Sequence, residues 1–373
     1  SYTDAIELVE AEHSTYSEEL TDLYLGLGRA LLAQQDLLSA KRAFERGMQI
    51  ERINNGLHSL NQRPFLLSLA DTESYLGNWK QSRNALDNLY AINWHTFGDN
   101  DPRLLPVLDE ILEWLIQTYD RRTPTGGYEN LIVAERVGQT IGAILNNSQT
   151  DPSEKPVKYR KLASLHYFIA NHIREYGDKN GAEVTFTSGQ SSLTGRNLTS
   201  SHLHFQRGKR ALEKAIESMV EQENNNQAEQ AKAVAQLGDW YLIFGQKFAA
   251  QRTYKLASDI LIDSGSEKDS SPMLFDKPTK INFDLEGHPN RNLEMVNANQ
   301  QSDNMTIEIE MAISKVGVIS DFEVINPSQE LTKEQLAILR GNLRNVRFRP
   351  KILNGETVEA NHREIFQIAI LER

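Results

Sequence analysis

Several groups of residues in this chain have the types and spacing that chemistry requires. His202 and His204 flank Leu203, where a Ser/Asn-rich stretch runs into an apolar-periodic one. Two histidines at that spacing can share a metal on a strand or loop, but no third ligand accompanies them. His166 and His172 lie six apart, too far round a helix to share one face, and read as packing or surface histidines. Ser200 and Ser201 stand before a helical pattern and read as N-caps rather than nucleophiles. Glu7, Glu10 and Glu12 form a solvated acidic face. Arg340, Arg344, Arg347, Arg349 and Lys351 form the one basic cluster, read as solvated surface with anionic lipid or an acidic partner as the alternative. There is no G-x-S-x-G, Walker loop or H-E-x-x-H. The absence of cysteine excludes disulfides, thiolate metal sites and thiol nucleophiles. The expectation is a non-enzyme with no cofactor and no metal.

The elements that must position any binding surface repeat. In the stretch 24–47, Tyr24, Leu27, Gly28, Ala40, Phe44 and Gly47 alternate large and small residues as two closely approaching helices require. Forty-two residues on, the positions of Tyr24, Leu27, Gly28, Ala40 and Phe44 hold Leu66, Leu69, Ala70, Ser82 and Leu86. Leu237, Gly238, Tyr241, Gly245, Ala250, Tyr254 and Ala257 restate the spacing near the end of the helical region. Residues 1–14 read as an N-terminal capping helix with a capping box of Asp4 and Glu7. Helical hairpins are expected at 17–53 and 59–94, with a further helix at 101–119. The stretch 121–130 reads as a loop before a helix at 131–146. Another helix is expected at 157–176, and 178–201 reads as a loop inserted before a helix at 203–222.

This small/large set resembles the tetratricopeptide repeat, and its long period resembles the variant found in kinesin light chains. The resemblance implies an α-solenoid of about five repeats over 1–263, with the first helix of each pair lining a concave face. The ninth position of that helix, which such arrays point inward, is Arg29, Asp71, Glu113, Asn171 and Asp239 in turn. Neighbouring inward positions include Tyr75, Gln117, Tyr167, Arg174 and Leu242. The implied partner-binding groove therefore comprises Arg29, Asp71, Tyr75, Glu113, Gln117, Asn171, Arg174 and Asp239, with acidic character in its middle.

After a linker at 264–275 the period becomes two. Strands are expected at 281–285, 307–313, 316–325, 346–352 and 363–371. Lys315 to Gly317 turns a hairpin, and Thr332 with Gln335 caps a helix at 332–344. Ile307, Ile309, Met311 and Ile313 should face that helix, with Val346 and Phe348 inward and Arg347 and Arg349 outward. The hairpin, the helix, Val346-Arg347-Phe348-Arg349-Pro350, Asn354-Gly355 and the last apolar strand resemble the carboxy-terminal domain of TonB over about 300–371. The fold class implied is a tetratricopeptide solenoid followed by a small α+β TonB-like domain at 276–373.

A net charge of -11 argues against a general nucleic-acid binder. No run of eighteen apolar residues provides a membrane span. The TonB resemblance implies the periplasm of a Gram-negative bacterium, with a signal peptide or anchor removed upstream of Ser1, and protein, peptide or envelope partners. The function expected is a non-catalytic protein-binding scaffold, with a peptide groove in the repeats and strand addition on the tail, linked to TonB-dependent transport or envelope assembly. Two rivals stand beside it: a cytoplasmic adaptor of kinesin-light-chain type with an unrelated tail, and an enzyme with its site in 178–201.

Overall fold

The computed structural model describes residues 1–119, 124–147, 149–176, 184–188, 191–195, 201–221, 226–263, 272–283, 285, 304–325, 331–353 and 355–369. The chain is mostly helical, with small sheets in its C-terminal part. It divides into two compact units: residues 1–150 with 175–199, and 151–174 with 200–373. The second unit thus gathers the last helices together with the C-terminal strands, although the change of sequence period lies near residue 263.

In the first unit α1 (Tyr2–Glu12) packs on α2 (Glu19–Ala33), which pairs with α3 (Leu37–Asn55). Next come the pair α4 (Arg63–Tyr75) and α5 (Trp79–Phe97), then α6 (Leu105–Gln117) against α7 (Pro124–Leu145). The small residues are where the helices touch. A methyl at Gly28 would collide with the Phe44 ring, and one at Gly47 with the Phe65 ring. In the next hairpin Ala70, Ser82 and Leu86 take the matching positions and are fully buried. Ser82 keeps its hydroxyl satisfied there by donating from Oγ to the Ala70 carbonyl at 2.6 Å.

Three local expectations are corrected in this unit. The box on α1 is Ser1 with Asp4, not Asp4 with Glu7, because the helix begins at Tyr2 and places Asp4 third in it. The stretch 121–130 is not all loop. Pro124 opens α7, where its fixed φ suits the first turn and its missing N–H is not needed, and Gly127 lies in that helix under the Tyr119 ring. The stretch 178–201 is not loop throughout either. Val184–Ser188 (β1) and Ser191–Gly195 (β2) form an antiparallel hairpin lying against α5 and α7. Its Thr- and Ser-rich composition, read as loop, is also compatible with a strand. The rest of that stretch, up to Ser200, lies outside the described residues.

In the second unit α8 (Lys155–Tyr176) and α9 (Ser201–Val220) precede the hairpin of α10 (Gln227–Ile243) and α11 (Lys247–Asp263). Asn226 caps α10, its Oδ1 accepting from the Ala228 and Glu229 N–H groups. Gly238 lies under the Tyr254 ring and Gly208 under Trp240. The expected linker 264–275 falls mostly outside the described residues, but Pro272–Phe275 is a short helix, α12.

Beyond it, β3 is only Thr279–Lys280, shorter than the strand expected at 281–285, and pairs with β6 (Phe348–Arg349). β4 (Asn304–Ile313) is the middle strand of an antiparallel sheet, between β5 (Ile319–Val324) and β9 (Ala360–Ala369). β7 (Lys351–Leu353) and β8 (Glu356–Val358) form a separate ribbon. α13 (Lys333–Leu343) carries the expected Thr332–Gln335 capping box. Ile307, Ile309, Met311 and Ile313 are buried with Leu339, Leu343, Val346, Phe348 and Phe366 on the helix side of the sheet. The register fixes this sidedness, Ile307 lying opposite Phe366 and Ile309 opposite Glu364. Gly317 makes the β4–β5 turn at φ +66°, a region that a side chain rarely adopts.

Candidate functional site

The feature that organises the second unit is a seam between α8, α10 and the C-terminal strands. It begins with the Leu-Gly-Asp-Trp run of α10. Gly238 admits Tyr254 from α11, and Asp239 and Trp240 follow on adjoining faces. Trp240 is fully buried and donates from Nε1 to the Phe205 carbonyl at 3.1 Å. Around it Tyr167, Phe244 and Phe283 close an aromatic cluster, Phe283 arriving from the segment after β3 with its ring 5.2 Å from Trp240 and 5.9 Å from Tyr167.

On β6 successive side chains point to opposite sides. Phe348 enters the sheet core, so Arg349 points away from it and meets Asp239. The pair is bidentate: Nε to Oδ1 at 3.0 Å and Nη2 to Oδ2 at 2.5 Å. Tyr254 donates its hydroxyl to the same Oδ1 at 2.9 Å. Burial works against the Arg349 charge, the facing carboxylate more than offsets it, and the guanidinium pKa is raised. Burial, then the Asp239 charge, pushes the Tyr254 phenol well above its ordinary range, so it stays a donor. Nearby, Lys280 Nζ meets Glu364 at 2.9 Å, and Gly317 accepts from the Phe348 N–H at 2.9 Å while lying against Leu242 of α10.

Two expectations fail here for one reason. Asp239 is not an open groove position, because its carboxylate is buried under Arg349. Arg349 is not solvated surface, because the strand that carries it lies on α10. The neighbouring inward positions Tyr167 and Leu242 are likewise covered, by Phe283 and by Gly317. Asn171 and Arg174 stay together on α8, Arg174 donating to Asn171 Oδ1 at 2.7 Å with its guanidinium over the Phe244 ring.

The remaining groove residues belong to the first unit. Arg29, Tyr75, Glu113 and Gln117 are exposed, Tyr75 to 55%. Asp71 is half-buried and accepts from Trp114 Nε1 at 3.1 Å, and Arg63 meets Glu110 at 2.8 Å, so α4 and α6 are side by side. Arg29, Asp71 and Glu113 are the residues at one repeat position, Tyr75 and Gln117 are neighbouring ones, and all five lie on α2, α4 and α6.

The histidines divide differently from their spacing. His202 is exposed. His166 and His204 meet in the interior, Nδ1 to Nδ1 at 3.0 Å. Burial, then the charges of His204 and Arg207, lowers the His166 pKa to about 3, so one neutral ring donates to the other. The signal for this pair was available: His166 sits between Leu165 and Ile169, and His204 precedes Phe205, both on apolar faces. Among the described residues no group of three or more His, Cys, Asp or Glu could hold a metal. Among them, too, no helix is long and apolar enough to cross a membrane. No family model matches the chain, and no curated protein matches it.

Proposed function

We propose that this chain is a non-catalytic protein-binding scaffold. In this reading its helical hairpins are tetratricopeptide repeats of an α-solenoid, and its C-terminal part is a TonB-like domain. What carries the reading is the face of α2, α4 and α6: the ninth position of successive first helices presents Arg29 and Glu113 to solvent beside Tyr75 and Gln117. The occupant that suits them is an extended protein segment with basic side chains for Glu113 and an apolar or aromatic residue for Tyr75. The TonB resemblance implies the periplasm and envelope partners. A second binding mode is strand addition: β5 and β9 are the outer strands of the three-stranded sheet, each paired on one side among the described residues. A different role for the tail, as a structural cap on the last hairpin, is favoured by the Asp239–Arg349 pair.

The test is site-specific photocrosslinking in the cells that make the protein. A photoreactive residue replacing Tyr75 on α4 should trap a discrete protein partner, and the same residue replacing the exposed Leu38 on α3 should not. Equal capture at both positions, or none at Tyr75, overturns the groove reading.

A further inference from the structure

The helix α11 has a buried side and, directly opposite, an exposed one. Ala250, Tyr254, Ala257, Ser258 and Leu261 are buried. On the other side Phe248, Arg252, Lys255, Asp259 and Ile262 run along the helix at alternating spacings of four and three, with Leu256 and Asp263 beside them. At about 100° per residue they share a stripe about 120° wide. The alternation is that of a seam between two helices.

The stripe is not composed as a solvent face. Phe248 is 83% exposed, the most of any large apolar side chain among the described residues, and Leu256 and Ile262 are exposed to 54% and 47%. Grouped apolar exposure of this kind marks an interaction surface. Arg252, Lys255, Asp259 and Asp263 lie between and beside them, and among the described residues none of the four makes an ion pair.

The order of those charges says what covers the stripe. Lys247 opens the helix, Arg252 and Lys255 follow in its first half, and Asp259 and Asp263 close its second. A helix dipole favours anions at the N-terminus and cations at the C-terminus, so this order runs against it. An order unfavourable within one helix is complementary to the same helix running the other way. With two α11 helices antiparallel and centred between Lys255 and Leu256, Arg252 of each copy faces Asp259 of the other. Phe248 then lies beside Ile262 of the other copy, and Leu256 meets its own counterpart at the axis. The contact uses the stripe from end to end, ~21 Å at ~1.5 Å per residue.

We propose that the outer face of α11 is a self-association surface on which a second copy of this chain docks antiparallel to form a two-fold dimer. A two-fold contact uses one patch on both copies and so requires a patch complementary to itself, whereas a foreign partner requires no such symmetry. The proposal is independent of the repeat and TonB-like readings, since it rests on one helix face.

The test is analytical ultracentrifugation of the full chain. The wild type should show a monomer–dimer equilibrium within about 1–100 μM, weakened by added salt. Arg252→Asp and Asp259→Arg both change exposed residues, so each should melt as the dilute wild type does, yet each should weaken self-association at least tenfold by setting like charges face to face. Mixed in equal amounts, the two variants restore opposite charges at both contacts and should dimerise with each other. The chain carrying both changes should dimerise with itself. Should either variant melt early, Phe248→Gln alters no charge and should weaken association by a similar factor. A wild type that stays monomeric at ~100 μM, association unchanged by the substitutions, or a mixture no more dimeric than its components overturns the proposal.

Discussion

A buried imidazole pair is indifferent to neutral pH and sensitive to mild acid, and His166 with His204 should show it. The folded-state pKa of His166 is held at about 3, below the unfolded value of 6.5. Between those values the unfolded chain binds a proton that the folded chain refuses. The His166 contribution is therefore complete above pH 6.5 and is lost as pH falls towards 3. Replacing both rings, His166→Leu with His204→Leu, exchanges a satisfied polar pair for apolar groups of similar size, which need not be costly near pH 7.5. The expected outcome is a urea midpoint that changes less between pH 6.5 and 5 than that of the wild type. An equal or steeper fall would show that other groups carry the acid sensitivity. The same two residues mark a limit of reading chemistry from spacing. His202 and His204 looked like the pair because they are neighbours in sequence, while the true partners are brought together by two helices.

At the scale of elements, the helical hairpins were legible because their determinants are local. Gly28 with Phe44 and Gly238 with Tyr254 are contacts between one helix and the next, set by residues sixteen apart. Gly238→Leu should drive a side chain into the Tyr254 ring and cost about 1–3 kcal/mol or more, since repacking there also moves the phenol off Asp239. The check is the thermal midpoint, which must fall; an unchanged midpoint would mean that α10 and α11 do not meet at Gly238. The Thr332–Gln335 cap and the Lys315–Gly317 turn were readable for the same local reason. What sequence reading missed was the hairpin of β1 and β2, whose composition mimics loop, and the start of α7 at Pro124, where a helix-opening proline was read as a breaker. Least legible of all was the seam. Asp239 and Arg349 are 110 positions apart, and neither helical nor strand periodicity reports on a contact between two such patterns.

At the scale of the molecule, that contact decides what unfolds with what. Arg349→Met leaves Asp239 buried without its cation, a change worth about 3–5 kcal/mol in comparable buried pairs. Because Phe348 sits in the sheet core while Arg349 grips α10, the loss should be felt on both sides of β6. Trp240 is the one tryptophan of the second unit, the others being Trp79, Trp94 and Trp114. In a chain whose other tryptophans are phenylalanine, Arg349→Met should shift the Trp240 fluorescence transition to lower urea, and α13 amide exchange should accelerate with it. Loss of protection around Trp240 alone would mean that the sheet is independent of the helices.

The alternation of one strand has a consequence for how such a chain can be divided. A cut at residue 263, where the sequence changes period, would strip Arg349 from Asp239, Phe283 from Trp240 and Gly317 from Leu242 in a single step. The helical fragment would carry an orphaned carboxylate beside a bare aromatic and aliphatic surface, the composition of an aggregating species. The modular border in such a protein lies ahead of α8 rather than behind α11: a tail moved to another scaffold must bring α8 and α9 as well as its last helical hairpin with it.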